Sequence, residues 1–205
     1  MHIQPLFAET GIEALHRLIR SYPLATLTMQ TTRGLDAHLL PLELVEAGPH
    51  GCLRGHVSRQ HPLCIAGDGS EALAIFQGPN AYISPRWYVS GRRSGRNAPS
   101  WNYVAVQAVG RLRLVDDRTW LRTHLAALAH GQEAHRDEPW SLDQAPAQFV
   151  DDALQRLVGF EIDIRDLCGK RFLSQQRTEA DRHSLVQHLA SEPTGMARDL
   201  AALLR

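Results

Sequence analysis

The chain has 205 residues, 43% of them hydrophobic and 21% charged, and its 22 basic and 22 acidic side chains cancel. That balance excludes a general nucleic-acid coat or a membrane-surface protein, both of which need a standing positive field. Nor does any apolar run approach the roughly 20 residues of a membrane span, so the expectation is one globular domain with a small helical appendage, able to hold a core without metal or disulfide staples.

The opening Met1-His2-Ile3-Gln4-Pro5 lacks the charged and apolar regions of a signal peptide. Thr10 and Glu13 have capping-box spacing, and Ile12, Leu15, Leu18 and Ile19 give a helical stripe that ends before Pro23. Leu24 to Met29 alternates as a strand, Thr32-Arg33-Gly34 turns, and Asp36 to Val45 returns with Pro41 marking an edge or bulge. Cys52 to Val57 reads as a third strand, followed by the polar loop Ser58-Arg59-Gln60-His61-Pro62 and a helical turn over Leu63 to Ala66. Two short strands, Glu71 to Phe76 and Ala81 to Ser84, flank a predicted turn at Gly78-Pro79-Asn80.

Gly91 to Arg96 reads as a solvated loop, and Trp101 to Val115 as one long bent strand with Gly110 at the kink. Helices are predicted from Arg118 to Gln132, capped by Asp116 or Asp117, and from Pro146 to Val158 with proline in the first turn. Phe160 to Ile164 alternates as a strand, and helices from Thr178 to Ala190 and from Gly195 to Leu204 close the chain. Short strands with hairpin turns and irregularly placed helices argue for an α+β fold, an antiparallel barrel with peripheral helices.

Local charge is less even than the total. No acidic residue lies between Glu71 and Asp116, whereas Arg86, Arg92, Arg93, Arg96, Arg111 and Arg113 do, so this segment is an expected surface for an anion, DNA or an acidic protein partner. Cys52, Cys64 and Cys168 are odd in number and form no C-x-x-C pair; small core thiols and a cytoplasmic location are expected. Gly67-x-Gly69-x-x-Ala72 is not a dinucleotide fingerprint, because a strand follows it. His124, His130 and His135 with Glu133 fit no common metal spacing and read as exposed helix-end residues.

Denser signals lie in Asp36 to Leu42, Gly55 to Pro62, Pro99 to Tyr103 and Gly169 to Gln176. A phosphate held on a barrel needs a guanidinium, hydroxyls and loop N–H groups together, and Ser58-Arg59 at a strand end offers them. His38-Leu39-Leu40-Pro41 would line one wall of an apolar slot for a flat ring system. Single fragments of this kind are usually structural, and the pattern by itself stops at an anion or cofactor site.

Taken in order, Leu24-Ala25-Thr26-Leu27, His38 to Pro41, Gly55 to Pro62, Ala74 to Tyr88, Pro99 to Tyr103, Gly159 to Ile162 and Gly169-Lys170 with Leu173-Ser174-Gln175 resemble the PaiB-type family of FMN-binding negative transcriptional regulators. That family belongs to the split-barrel flavoproteins, which include pyridoxamine phosphate oxidases. The resemblance implies an FMN-binding split-barrel domain over residues 1–175, a C-terminal helical extension over 176–205, and a homodimer with FMN near the interface.

Carried over position by position, Ser58 and Arg59 are similar to a phosphate clamp, with His56, Val57 and His61 beside it. Thr26, Thr28, His38, Leu39, Leu40 and Pro41 resemble walls next to the ring system, while Trp101, Asn102, Lys170, Ser174 and Gln175 match signature positions. Gln176 replaces the asparagine of the family pattern, and Ser100 replaces a threonine. The implied function is regulatory flavin binding. The alternatives are an FMN-dependent oxidoreductase, for which His56 and His61 are the nearest acid–base candidates, and a haem-handling split barrel.

Overall fold

The computed structural model describes residues 1–32 and 34–204; Arg33 of the expected turn lies outside them. Eight strands form one sheet in the order β3-β2-β6-β7-β8-β5-β4, with β1 added on β8. They are β1 (Ala8–Glu9), β2 (Leu24–Thr31), β3 (Gly34–Pro41), β4 (Glu43–Val45), β5 (Cys52–Ser58), β6 (Glu71–Ile83), β7 (Ser100–Val115) and β8 (Leu157–Phe172). The helices are α1 (Ile12–Ser21), α2 (Leu63–Ala66), α3 (Val89–Ser94), α4 (Arg118–Glu133), α5 (Ala147–Arg156), α6 (Glu179–Ser191) and α7 (Gly195–Leu203). No helix among the described residues is long and apolar enough to cross a membrane.

The chain forms two compact units, and β6, β7 and β8 each contribute to both. The first unit comprises Met1–Tyr22, Phe76–Gln107 and the chain from Cys168 onward, so the C-terminal helices cluster with the N-terminal helix. Its core gathers Ile83, Tyr88, Val104, Leu173, Leu185, Leu189 and Leu200. The second comprises Pro23–Ile75 and Ala108–Leu167. There Leu121, Val150 and Leu154 join α4 to α5, and Trp120 fills the space over Gly159, where an added Cβ would lie 2.2 Å from the indole.

Several local expectations need correction. The capping box at Thr10 does not form: Gly11 caps α1, and its N–H donates to Glu9 Oε1 at 3.1 Å, so the nearer carboxylate supplies the partner. The strand expected from Asp36 to Val45 breaks at Leu42, whose N–H turns to Pro23 O, leaving Pro41 at the end of the edge strand β3. Glu71 to Ile83 is a single 13-residue strand that runs straight through the predicted Gly-Pro-Asn turn. Gly91 to Arg96 is no simple loop, since α3 occupies most of it and ends at Gly95 in the left-handed region, φ 64°. Gly110 is required by close approach, because a Cβ there would lie 2.2 Å from Asp163 O.

Candidate functional site

In the second unit the alternation of β5 directs Val57 into the core at 4% exposure and brings Ser58 and Arg59 to the strand end. Arg59 is fixed on three sides. Its N–H donates to Arg156 O, its Nε to Gln155 O at 2.8 Å, and Nη1 and Nη2 to the two oxygens of Asp116. A guanidinium has five N–H donors, so two remain for a ligand. Beside the guanidinium is a cleft of about 280 Å³ lined by Arg59, Asp116, Arg118, Leu121, Leu154 and Gln155. That volume lies below the roughly 300–1,000 Å³ of a whole small-molecule site, and suits one end of a ligand.

The hydrogen bonds from Arg59, and then its charge, hold the Asp116 carboxyl below the ordinary carboxylate range. The site is therefore a neutralised pair with spare donors. Ser58 uses its hydroxyl locally, accepting from Gln60 N–H at 3.3 Å.

Around the same strand end, His61 Nδ1 accepts from Leu63 N–H at 3.2 Å, and its ring meets His38 edge-on at 4.5 Å. Burial chiefly, and then His38, lower the His61 imidazole, against the opposing charge of Asp36. His38 Nε2 comes within 3.4 Å of Asp36 Oδ2, too poorly directed for a hydrogen bond. His56 reaches His124 at 3.3 Å, and His124 in turn reaches Glu43 at 2.9 Å. His124 is 2% exposed, which corrects its reading as an exposed helix-end residue; His130 and His135 are exposed as expected. Position 124 continues the stripe of Trp120, Leu121 and Leu128, and that was the available signal.

The β2–β3 register pairs Leu24 with Pro41, Thr26 with Leu39, Thr28 with Ala37 and Gln30 with Leu35. Directly paired residues share a face, so Thr26, Thr28, Leu39 and Pro41 form one surface with Leu24, Leu35 and Ala37. It is open: Leu24 is 58%, Leu39 69% and Leu35 78% exposed. His38 and Leu40 lie on the opposite face, paired with Leu27 and Ala25, so His38 to Pro41 do not line a single wall as expected.

The remaining signature residues lie in the first unit, in a different chemical setting. Asn102 is fully buried; its Nδ2 donates to Ser174 Oγ at 3.0 Å, and Tyr88 Oη meets the same hydroxyl at 3.0 Å. Ser174 itself adopts a left-handed backbone, φ 60°. Gln175 folds back on its own segment, accepting from Leu173 N–H at 2.8 Å and donating to Arg171 O. Lys170 donates to His2 O at 3.2 Å and lies over the Tyr103 and Phe172 rings. Trp101 is half-exposed, with Nε1–H donating to Asn80 Oδ1 at 3.1 Å. The polar atoms of Asn102 and Ser174 thus have internal partners. Sequence reasoning missed a neighbouring pair: Arg177 lies 4.3 Å over Tyr88 and donates to Asn97 Oδ1, while Arg177 Nε and Asn97 Nδ2 are buried without partners.

The cysteines divide. Burial, then Glu161 and Asp163, push the buried Cys52 thiol up to about 12, which makes it inert, while Cys64 and Cys168 are only partly buried. No group of three metal-ligating side chains forms among the described residues.

A family model described as "Putative FMN-binding domain" matches residues 1–166. Protease synthase and sporulation protein PAI 2 of Bacillus subtilis is 30% identical over 206 residues, spanning all of this chain and 96% of that protein. An uncharacterized protein of Emericella nidulans is 28% identical over 242 residues, covering 100% of this chain and 96% of its own. Among solved structures, a flavocytochrome of Azotobacter vinelandii superposes with TM-score 0.59 at 13% identity, over 83% of this chain and 72% of that one. The FAD and heme binding protein of Mycobacterium smegmatis gives TM-score 0.59 at 17% identity, over 88% and 79%. At such identities the likeness establishes the split-barrel fold alone. With a family match over most of its length and a full-length PaiB-type relative, the chain belongs to this FMN-binding family of split-barrel proteins.

Proposed function

We propose that the second unit holds the phosphate end of FMN through Arg59, with Ser58 beside it, and that the protein acts as a PaiB-type regulator. The observation that carries this reading is the arrangement of Arg59. Its guanidinium is oriented in advance by Gln155 O and Asp116, with two donors unused and a small cleft beside it. Preorganised guanidinium donors suit phosphate oxygens geometrically as well as by charge. Asp116 tempers the site, since its carboxylate repels a dianion, so affinity is set by the balance of the pair. FMN, when bound, supplies the redox-active ring; the side chains described here bind and orient it.

The open face of β2 and β3 supports the homodimer reading. Leu24, Leu35, Ala37, Leu39 and Pro41 form an apolar surface on an edge hairpin, flanked by Thr26 and Thr28. A second copy seated there covers the edge and encloses the ring end of the cofactor. A partner surface for DNA or protein narrows to Arg86, Arg92, Arg93 and Arg96 of the first unit. Arg111 and Arg113 are engaged elsewhere, with Gly69 O and Glu161.

A visible absorption titration of the purified protein with FMN tests the phosphate assignment. Arg59→Ala should weaken FMN by about tenfold or more, while unchanged FMN retention in that variant removes the clamp.

A further inference from the structure

Glu43, His124 and His56 form a hydrogen-bonded chain that links β4, α4 and β5 and that the flavin reading does not use. Glu43 Oε2 lies 2.9 Å from His124 Nδ1, and His124 Nε2 lies 3.3 Å from His56 Nδ1. His124 is 2% exposed and stacks on Trp120 with ring centroids 5.1 Å apart. With both rings neutral, only one proton arrangement satisfies the two contacts. A carboxylate accepts and cannot donate, so the hydrogen of His124 resides on Nδ1. His124 Nε2 is then a lone pair, which requires His56 Nδ1 to carry its hydrogen. His56 is left with an unprotonated Nε2 that has no protein partner among the described residues.

His124 lies against an indole over which the Arg54 guanidinium sits at 5.6 Å. The other charged group packed here, Glu161, is held by Arg54, Arg113 and Trp120 Nε1–H. Burial first, and then His124, also hold the His56 imidazole below its ordinary range.

We propose that His56 Nε2 is the proton-accepting atom for a bound ligand that presents an N–H or O–H, with His124 and Glu43 as positioning residues. A ligand proton taken up at Nε2 makes His56 an imidazolium. Its Nδ1–H stays on His124 Nε2, which Glu43 holds in place through His124 Nδ1. The same polarity excludes neutral His56 from binding an anion, because two lone pairs repel. His61 has the reverse polarity: its Nδ1 accepts from Leu63 N–H, so the neutral ring carries its hydrogen on Nε2. Two histidines on one strand-and-loop segment therefore present a proton acceptor and a proton donor. His124 and Glu43 set the polarity of His56 whether or not a flavin is bound.

Long-range ¹H–¹⁵N correlation spectra of the full chain above neutral pH test this directly. The expected result is His56 in the Nδ1–H form, with its Nε2 resonance unmoved by inorganic phosphate. His124→Phe should transfer the hydrogen of His56 to Nε2. His124→Gln should keep it on Nδ1, since the amide offers an oxygen to His56 and an N–H to Glu43. If the Phe variant does not fold, the wild type and the Gln variant decide. Wild-type His56 bearing its hydrogen on Nε2, a doubly protonated His124, or protonation of His56 by added phosphate overturns the proposal. Failure to bind FMN overturns the cofactor reading and leaves these spectra unchanged.

Discussion

The cluster at the end of β5 and the network around Ser174 carry equally dense signatures in the sequence, but their physical settings are opposite. In the first, Arg59 and Asp116 stand at the surface as a charged pair with donors to spare and a small cleft beside them. In the second, Asn102, Ser174 and Tyr88 are neutral, buried and bonded to one another. The difference separates two reasons for a polar residue to occupy a fixed place. A buried neutral network fixes the path of the backbone, here a serine in a left-handed conformation. An exposed ion pair contributes little stability and is available to a ligand.

The sharpest way to break this contrast is Asn102→Ala. The substitution removes one of the two buried partners of the Ser174 hydroxyl, leaving Tyr88 Oη, and opens a small cavity, and should cost about 1–3 kcal/mol in denaturant unfolding. A loss of FMN affinity with stability intact would reverse the assignment and place Asn102 in the cofactor site.

Acid should act next. His56 and His61 have imidazoles lowered chiefly by burial from the ordinary 6.5. The unfolded chain therefore binds more protons, so their contribution is complete above 6.5 and is lost as pH falls through the folded values. At Asp181 burial pushes the carboxyl up, but hydrogen bonds from Ser90 and Thr178 and the charge of Arg177 hold it net below its ordinary 3.8. That contribution disappears only as pH falls further. Stability measured against pH should decline in two stages, the first weakened in His56→Phe. A curve that stays flat through the histidine range contradicts the burial of these rings.

Much of the scaffold could be read from alternation, because one face of each strand packs inward. Ala25, Leu27 and Met29 on β2, and Val104, Val106 and Ala108 on β7, are buried as their parity requires. Gly78-Pro79-Asn80 misled because local turn chemistry resembles a hairpin, whereas β6 continues through it under tertiary constraint. The site was legible in its residue types and not in its pairings. Asp116 lies 57 positions from Arg59, and His124 lies 68 from His56. Such distances are invisible to local pattern, and His124 appeared polar on a stripe it in fact completes. The hairpin wall failed for a simpler reason: four consecutive strand residues cannot share a face.

Asp116→Asn sharpens the comparison from the other side. Removing the opposing carboxylate should strengthen FMN severalfold while changing stability by well under about 1 kcal/mol; weaker FMN binding would show that Asp116 orients Arg59 more than it repels phosphate. The smallest effect is expected at α3. Arg92→Ala with Arg93→Ala should leave FMN binding and stability unchanged and reduce only a salt-dependent partner interaction. Loss of cofactor in that variant would place α3 at the flavin.

Paired titrations of wild type and Arg59→Ala with FMN and with riboflavin, which lacks the phosphate, test the central claim most directly. Wild type should prefer FMN by about tenfold or more, and Arg59→Ala should bind the two nearly alike. Equal wild-type affinities, or a preference that survives the substitution, would contradict a phosphate site at Arg59.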